Sequence, residues 1–221
     1  FNKPELDLKA LNWKPTMEPT PEHQEALNSQ GARLTLQLEG LTGKDYQMVH
    51  YRVDDEHTNP YGTWTAMGSP EDPTTEQYLE IAATMEPAIT ENEKVKTRGG
   101  KFSKSIDFPS SGISVIILAP EPKAGPNAPN QLNYNLYKGN NGEDMVMLLW
   151  EDEQPHRNLL SYEVYGKAPG ASGFKKVNPT HLLGKGFAYP TEEAEGWQFK
   201  VRAVDYAKQA GPFSTTITVK K

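Results

Sequence analysis

The sequence predicts an all-β chain of two tandem β-sandwiches, the first carrying one amphipathic helix. Three observations predict it. Polarity alternates in short runs, as in Ala32-Arg33-Leu34-Thr35-Leu36-Gln37-Leu38-Glu39 and Phe199-Lys200-Val201-Arg202-Ala203. A period of two places one set of side chains on a buried face and the other in water. The 18 glycines and 18 prolines interrupt the chain too often for long helices. Finally, Glu121-Pro122-Lys123-Ala124-Gly125-Pro126-Asn127-Ala128-Pro129 suppresses helix and ladder alike and separates two segments of similar strand content. The expected organisation is a first domain over 1–121, a linker over 122–129 and a second domain over 130–221.

In the first domain, Leu6 to Trp13 reads as a strand. Ala32 to Glu39 is the cleanest alternation, Leu41-Thr42-Gly43-Lys44-Asp45 a turn, and Tyr46 to Val53 the partner strand, with Val49, Tyr51 and Val53 on one face. Lys101 to Phe108 and Ile113 to Leu118 follow as strands joined by Pro109-Ser110-Ser111-Gly112. The helix lies between these pairs, at about 73–86. Pro73 is tolerated in its first turn, and Thr74 and Gln77 have capping-box spacing. Tyr78, Ile81, Ala82 and Met85 make one face apolar, and Glu86-Pro87 ends the helix. Such a helix is expected to cover an edge or face of the sheet.

In the second domain, Leu132 to Tyr137, Met145 to Trp150, Ser161 to Lys167 and Phe174 to Val177 read as strands, with a Pro169-Gly170 turn before the last. A weaker strand at Phe187 to Tyr189 precedes a final hairpin of Trp197 to Asp205 and Thr215 to Val219. Seven short strands in about 95 residues fit an immunoglobulin-like sandwich.

Composition narrows the function classes. The net charge of -6 and the lack of a basic stripe argue against nucleic acid or anionic membrane as partner. Cysteine is absent, so each half must stand on its own core, without disulfides or thiolate metal ligands. The longest apolar run, Val115 to Ala119, is strand-sized, so no membrane span is expected. The start, Phe1-Asn2-Lys3-Pro4, is neither Met nor a signal peptide, so the chain reads as a piece of something longer. Asn178-Pro179-Thr180 is spoiled as a glycosylation sequon by its proline, which favours a bacterial source.

Chemistry-bearing residues are sparse. Asp54-Asp55-Glu56-His57 is the densest polar group, but it lacks the Asp-x-Asp-x-Asp-Gly order of a calcium loop and reads first as a solvated turn. His23, His50, His57, His156 and His181 form no His-x-x-x-His pair, and zinc needs three or four convergent ligands. There is no Gly-x-Ser-x-Gly elbow, and Gly99-Gly100-Lys101 lacks the phosphate-loop frame. No cofactor, metal or catalytic residue is therefore expected. Of the aromatics Trp13, Trp64, Trp197, Tyr61, Tyr134, Tyr137 and Tyr206, most are expected in packing. Trp13, Tyr61 and Tyr137 are the candidates for stacking on a sugar ring. Trp150 is assigned to the core.

The second domain resembles fibronectin type III domains over nearly its whole length. Trp150 stands where they keep a core tryptophan, Tyr162-Glu163-Val164-Tyr165 matches their third strand, and Trp197-x-Phe199-x-Val201-x-Ala203 matches their Tyr-x-Phe-x-Val-x-Ala. The departure is Trp197 in place of the corner tyrosine, since an indole donates a hydrogen bond but accepts none. In the first domain, Tyr51 to Pro70 with its Trp64-x-x-x-Gly68-x-Pro70, followed by Pro73-Thr74-Thr75-Glu76-Gln77, is similar to the β-sandwich after the catalytic barrel in glycoside hydrolase family 39. That family contains β-xylosidases and α-L-iduronidases. Val201-Arg202-Ala203-Val204-Asp205-Tyr206 and Gly211-Pro212-Phe213-Ser214 resemble the iduronidase branch, and the likeness covers roughly 30–221.

The resemblance implies a non-catalytic accessory region that braces an upstream barrel of the same polypeptide, with Arg52, Asp54, His57, Asn59 and Trp64 as contacts to it. It implies an extracytoplasmic bacterial protein, secreted or periplasmic, whose parent is a glycosidase acting on carbohydrate. The family's two glutamates sit on a barrel of about 200 or more residues, for which this chain has no room, so the chain alone is expected not to be an enzyme. The alternative is an independent carbohydrate-binding or adhesion module, although no Arg-Gly-Asp sequence is present.

Overall fold

The computed structural model describes residue 21 and residues 31–109, 112–139, 142–152 and 158–221. The strand expected over Leu6 to Trp13 lies outside these residues. The rest is an all-β, multi-sheet chain with two short helices among the described residues. Its elements are β1 (Ala32–Leu38), β2 (Asp45–Val53), α1 (Pro60–Ala66), α2 (Thr75–Ala82), β3 (Ala88–Lys96), β4 (Phe102–Phe108), β5 (Ile113–Pro120), β6 (Asn130–Lys138), β7 (Asp144–Glu151), β8 (Leu159–Lys167), β9 (Lys175–Lys176), β10 (Gly186–Thr191), β11 (Gln198–Asp205) and β12 (Ile217–Thr218).

In the first half the sheets are β1-β4 and β3-β2-β5, all antiparallel. This corrects the expected pairing of β1 with β2. β1 pairs with β4, from Ala32↔Phe108 to Leu38↔Phe102, and β2 becomes the central strand of the other sheet. The burial of β2 explains its place. Met48, Val49 and His50 are all buried, so both of its faces are covered, as a central strand requires. His50 is held by Ser114 on β5, 3.1 Å away, and Glu91 on β3, 3.4 Å away. Glu91 is in turn paired with Lys104 of β4, so this ion pair ties one sheet to the other.

In the second half the sheets are β10-β7-β6 and β12-β11-β8-β9. The core lies between them. Leu132, Val146, Leu148, Trp150 and Phe187 come from the first of these sheets, and Tyr162, Val164, Phe199, Val201 and Ala203 from the second. Trp150 is in this core, edge-on to Tyr162 at 5.4 Å. Burying side chains of this size stabilises by about 1.5–3 kcal/mol each. Trp197 stacks on Phe199 at 5.7 Å and touches Tyr189 at 5.3 Å, so its indole serves as packing.

Two elements differ from expectation. β3 lies where no strand is predicted, because Glu91, Glu93 and Lys94 break its alternation and a bulge interrupts its register. α1 lies in what reads as a loop. The expected helix over 73–86 is shorter, Thr75–Ala82, with Thr74 as N-cap and both capping-box bonds present.

Candidate functional site

The end of β2 delivers Arg52 to the turn that follows. Asp54 is 6% exposed at its side chain and collects the turn around itself. One carboxylate oxygen lies 2.7 Å from Arg52 Nη2. The other lies 2.7 Å from His57 Nδ1 and accepts the backbone N–H groups of Glu56 at 3.0 Å and His57 at 2.9 Å. Burial pulls the Asp54 carboxyl upward. The His57 and Glu56 hydrogen bonds and the Arg52 charge outweigh it, so the group titrates below the usual carboxylate range. Both oxygens are committed to these internal partners. The turn is therefore a folded knot and not an open ligand set, and among the described residues no group of three or more His, Asp or Glu could hold a metal ion.

The knot continues into α1. Thr58 has φ 59°; its hydroxyl donates to Arg52 O at 2.8 Å and accepts from the Ala88 N–H at 2.7 Å, joining the turn to β3. Asn59 caps α1 by accepting from the Gly62 N–H at 2.7 Å and donates to Asp55 O at 3.0 Å. A Cβ on Gly62 would stand 2.7 Å from the Asn59 amide nitrogen, so the cap and the glycine require each other. Trp64 donates from Nε1 to Pro70 O at 3.0 Å, and Tyr61 lies against it at 5.8 Å with 71% of its surface exposed.

Thus Arg52, Asp54, His57 and Asn59 form one bonded turn, with Tyr61 and Trp64 on the adjoining helix. Tyr137 is elsewhere, on β6, near Tyr78 of α2, whose hydroxyl pKa is raised by burial and then by this neighbour. Trp13 lies outside the described residues.

A second constellation went unnoticed in the sequence. Val49, Tyr51 and Ala119 of the first half cluster with Leu160 and Tyr206 of the second. The Tyr51 and Tyr206 rings share this cluster, and burial followed by the neighbouring Tyr206 pushes the Tyr51 hydroxyl far above its ordinary range. Asn158 donates to Pro120 O at 3.1 Å, and a Cβ on Gly211 would meet Pro126 O at 2.4 Å. The proline-rich stretch is therefore laid against the second half, and the two halves share a seam. The apolar face of β2 was legible as a signal. Its partner more than 100 residues away was not.

Comparison with known proteins bears on both constellations. A family model described as glycosyl hydrolases family 39 matches residues 2–101. Over that stretch, somewhat under half of its length, the chain is similar to the family 39 glycosyl hydrolases. It is 27% identical over 190 residues to α-L-iduronidase of Canis lupus familiaris, covering 83% of this chain and 28% of that protein. The Homo sapiens α-L-iduronidase is 24% identical over 188 residues, with 83% and 28% covered. A solved bacterial orthologue of human α-L-iduronidase shares the fold, with a TM-score of 0.73, 24% identity, 87% of this chain and 34% of that chain covered. The chain therefore spans less than a third of the length of the curated relatives it matches. The family 39 match takes in the Asp54 turn and both helices, and ends before β6.

Proposed function

We propose that this chain is the non-catalytic accessory region of a family 39 glycosidase of α-L-iduronidase type. Its two halves are tandem β-sandwiches bordered at 122–129, the second of fibronectin type III kind, and together they brace a catalytic barrel elsewhere in the same polypeptide. The observation that carries this reading is the asymmetry of coverage. More than four-fifths of this chain aligns with under a third of an α-L-iduronidase. The parent then cleaves a glycosidic bond with a pair of carboxylates on its barrel, in an extracytoplasmic, bacterial setting. The Asp54 turn and α1 form the bracing contact. Arg52, His57 and Asn59 hold its shape, and Tyr61 and Trp64 present its apolar surface.

The seam supports a bracing role, since two halves that share a core transmit load as one piece. Two experiments test the reading. The isolated chain is incubated with aryl iduronide and aryl xyloside, where no turnover is expected. Arg52→Ala and Trp64→Ala are then placed in the full-length parent, where a lowered Tm and activity are expected. Turnover by the isolated chain, or parent variants indistinguishable from wild type, defeats it. A sugar-binding module is the second reading, favoured by the exposed Tyr61 ring beside Trp64. Quenching of tryptophan fluorescence by neutral oligosaccharide, lost in Tyr61→Ala, would replace bracing with binding.

A further inference from the structure

The tip of the connection from β3 to β4 holds two like charges face to face. Arg98 and Lys101 pair across it, the Arg98 N–H donating to Lys101 O at 3.2 Å and the Lys101 N–H to Arg98 O at 3.1 Å. Gly99 and Gly100 make the turn between them, with φ 59° and 72°. Positive φ at both central residues is the tight hairpin turn that glycine admits. It is pinned from outside, since the Leu41 N–H donates to Gly100 O at 3.0 Å and a Cβ on Gly100 would stand 2.9 Å from Leu41 O. Residues directly opposite in an antiparallel pair project on one face, and like charges there destabilise it.

The surroundings leave that repulsion largely unanswered. Lys101 reaches Glu39 at 2.7 Å. Among the described residues, the side chains of Arg98 and Lys96 meet no carboxylate. All three cations line one groove of about 500 Å³ at the joined ends of β1 and β4, and among the described residues Glu39 is its one carboxylate. Two neutral donors lie there as well. Gln37 and Ser103 are directly opposite in the β1–β4 ladder, and neither side chain is hydrogen-bonded among the described residues. The next such pair, Thr35 and Ser105, spend their hydroxyls on each other at 2.9 Å. Leu38 and Phe102 give the groove an apolar wall. Three cations less one carboxylate leave an excess of two positive charges, in a chain whose net charge is -6.

We propose that this groove binds the phosphate group of a small phosphate monoester. Near neutral pH such a group carries close to two negative charges and presents three acceptor oxygens, which matches the charge excess. Placed between Arg98 and Lys101, it replaces their mutual repulsion with attraction to a shared partner. The Arg98 guanidinium, whose donor fork is unspent among the described residues, suits two of the oxygens. Lys96 and Lys101 act as point charges, and Ser103 and Gln37 as neutral donors. Gly99-Gly100-Lys101 is no phosphate loop, so the site is built from side chains.

The ligand class follows from charge and size. A carboxylate or a sulfate monoester brings a single negative charge and leaves half of the excess unanswered. A phosphate group alone fills a small part of the groove, so the organic part of the ester lies along Leu38 and Phe102. The three cations are exposed. The ligand therefore enters without any opening of the fold, and salt weakens its binding. The groove is at the opposite end of β4 from Phe108, which shares a cavity with Arg52. The site is thus apart from the Asp54 turn and does not depend on the bracing role.

The test is a titration of this chain with phenyl phosphate at about pH 8, where the ester is a dianion, and at low ionic strength. Amide NMR shifts report binding, with phenyl sulfate and benzoate as singly charged controls at equal ionic strength. Saturable shifts are expected over residues 98–103 and at Gln37 and Leu38, with the controls binding at least about tenfold more weakly, the worth of one hydrogen bond to a charged group. Arg98→Gln should weaken phenyl phosphate by a similar factor. Without ligand, that variant should melt no lower than wild type, because the charge it removes opposes Lys101. No saturable shift, equal binding of phenyl sulfate, undiminished binding in Arg98→Gln, or a loss of binding that comes with a lower ligand-free Tm overturns the proposal; the last would make Arg98 a prop of the hairpin.

Discussion

Asp54 shows how one side chain can organise a surface turn. Its carboxylate receives a guanidinium, an imidazole and two amides while almost wholly shielded from water. Removing its charge strands Arg52, whose side chain is 20% exposed, which meets Asp54 through Nη2 and whose buried Nε already has no acceptor. Breaking such a pair costs about 3–5 kcal/mol. Asp54→Asn should therefore lower the urea midpoint at pH 7, with an unchanged slope. The pH dependence has a defined sign. The folded pKa lies below 3.8, so the stabilisation is present above that value and disappears as pH falls through the folded one. The gap between wild type and Asp54→Asn should then close in strong acid; a gap that persists unchanged to pH 2 would show that the carboxylate acts by shape and not by charge.

The elements differ in how far local chemistry determines them. In α2 it nearly suffices. Thr74 accepts from the Gln77 N–H at 3.3 Å, and the Gln77 side chain accepts from the Thr74 N–H at 2.9 Å. Thr74→Ala should cost about 1 kcal/mol and speed amide exchange in the first turn of α2, whereas an effect spread evenly over the chain would show that the cap is not what fixes the helix start. That reciprocal spacing is legible in the sequence, as is the alternation of β1, β8 and β11. α1 was not legible, because its start rests on Asn59 reaching Gly62 and its seven residues carry no apolar period. β3 was hidden by charges that serve tertiary partners, with Glu91 turned to His50 and Lys104. The pairing of β1 failed for a different reason. Adjacency along the chain suggests a hairpin, but β2 buries both faces and is claimed by β3 and β5 instead. Of the candidate site, the turn from Arg52 to Asn59 could be picked out by its density of polar groups. The seam could not, since its partners meet only in the folded chain.

At the scale of the whole molecule, the proline-rich stretch divides the sequence more sharply than it divides the structure. Leu160 belongs to β8, a strand of the second half, yet it packs with Val49, Tyr51 and Ala119 of the first. Its neighbour Tyr162 belongs to the inner core. β8 therefore faces two cores within a few residues, and a change at one should be felt at the other. Leu160→Ala removes a side chain that is only 8% exposed, at a cost of about 2–5 kcal/mol including the cavity left behind. If the seam joins the halves into one cooperative unit, the variant loses amide protection in β2 and β5 as well as in β8, and its thermal unfolding remains a single transition at lower temperature. If the halves are independent, the loss stays within residues 130–221 and the first half keeps its own midpoint. Tyr51→Phe separates the two components of the seam. It keeps the ring against Leu160 but removes the hydroxyl beside Tyr206, so the ratio of the two losses measures how much of the union is apolar burial and how much depends on the polar group.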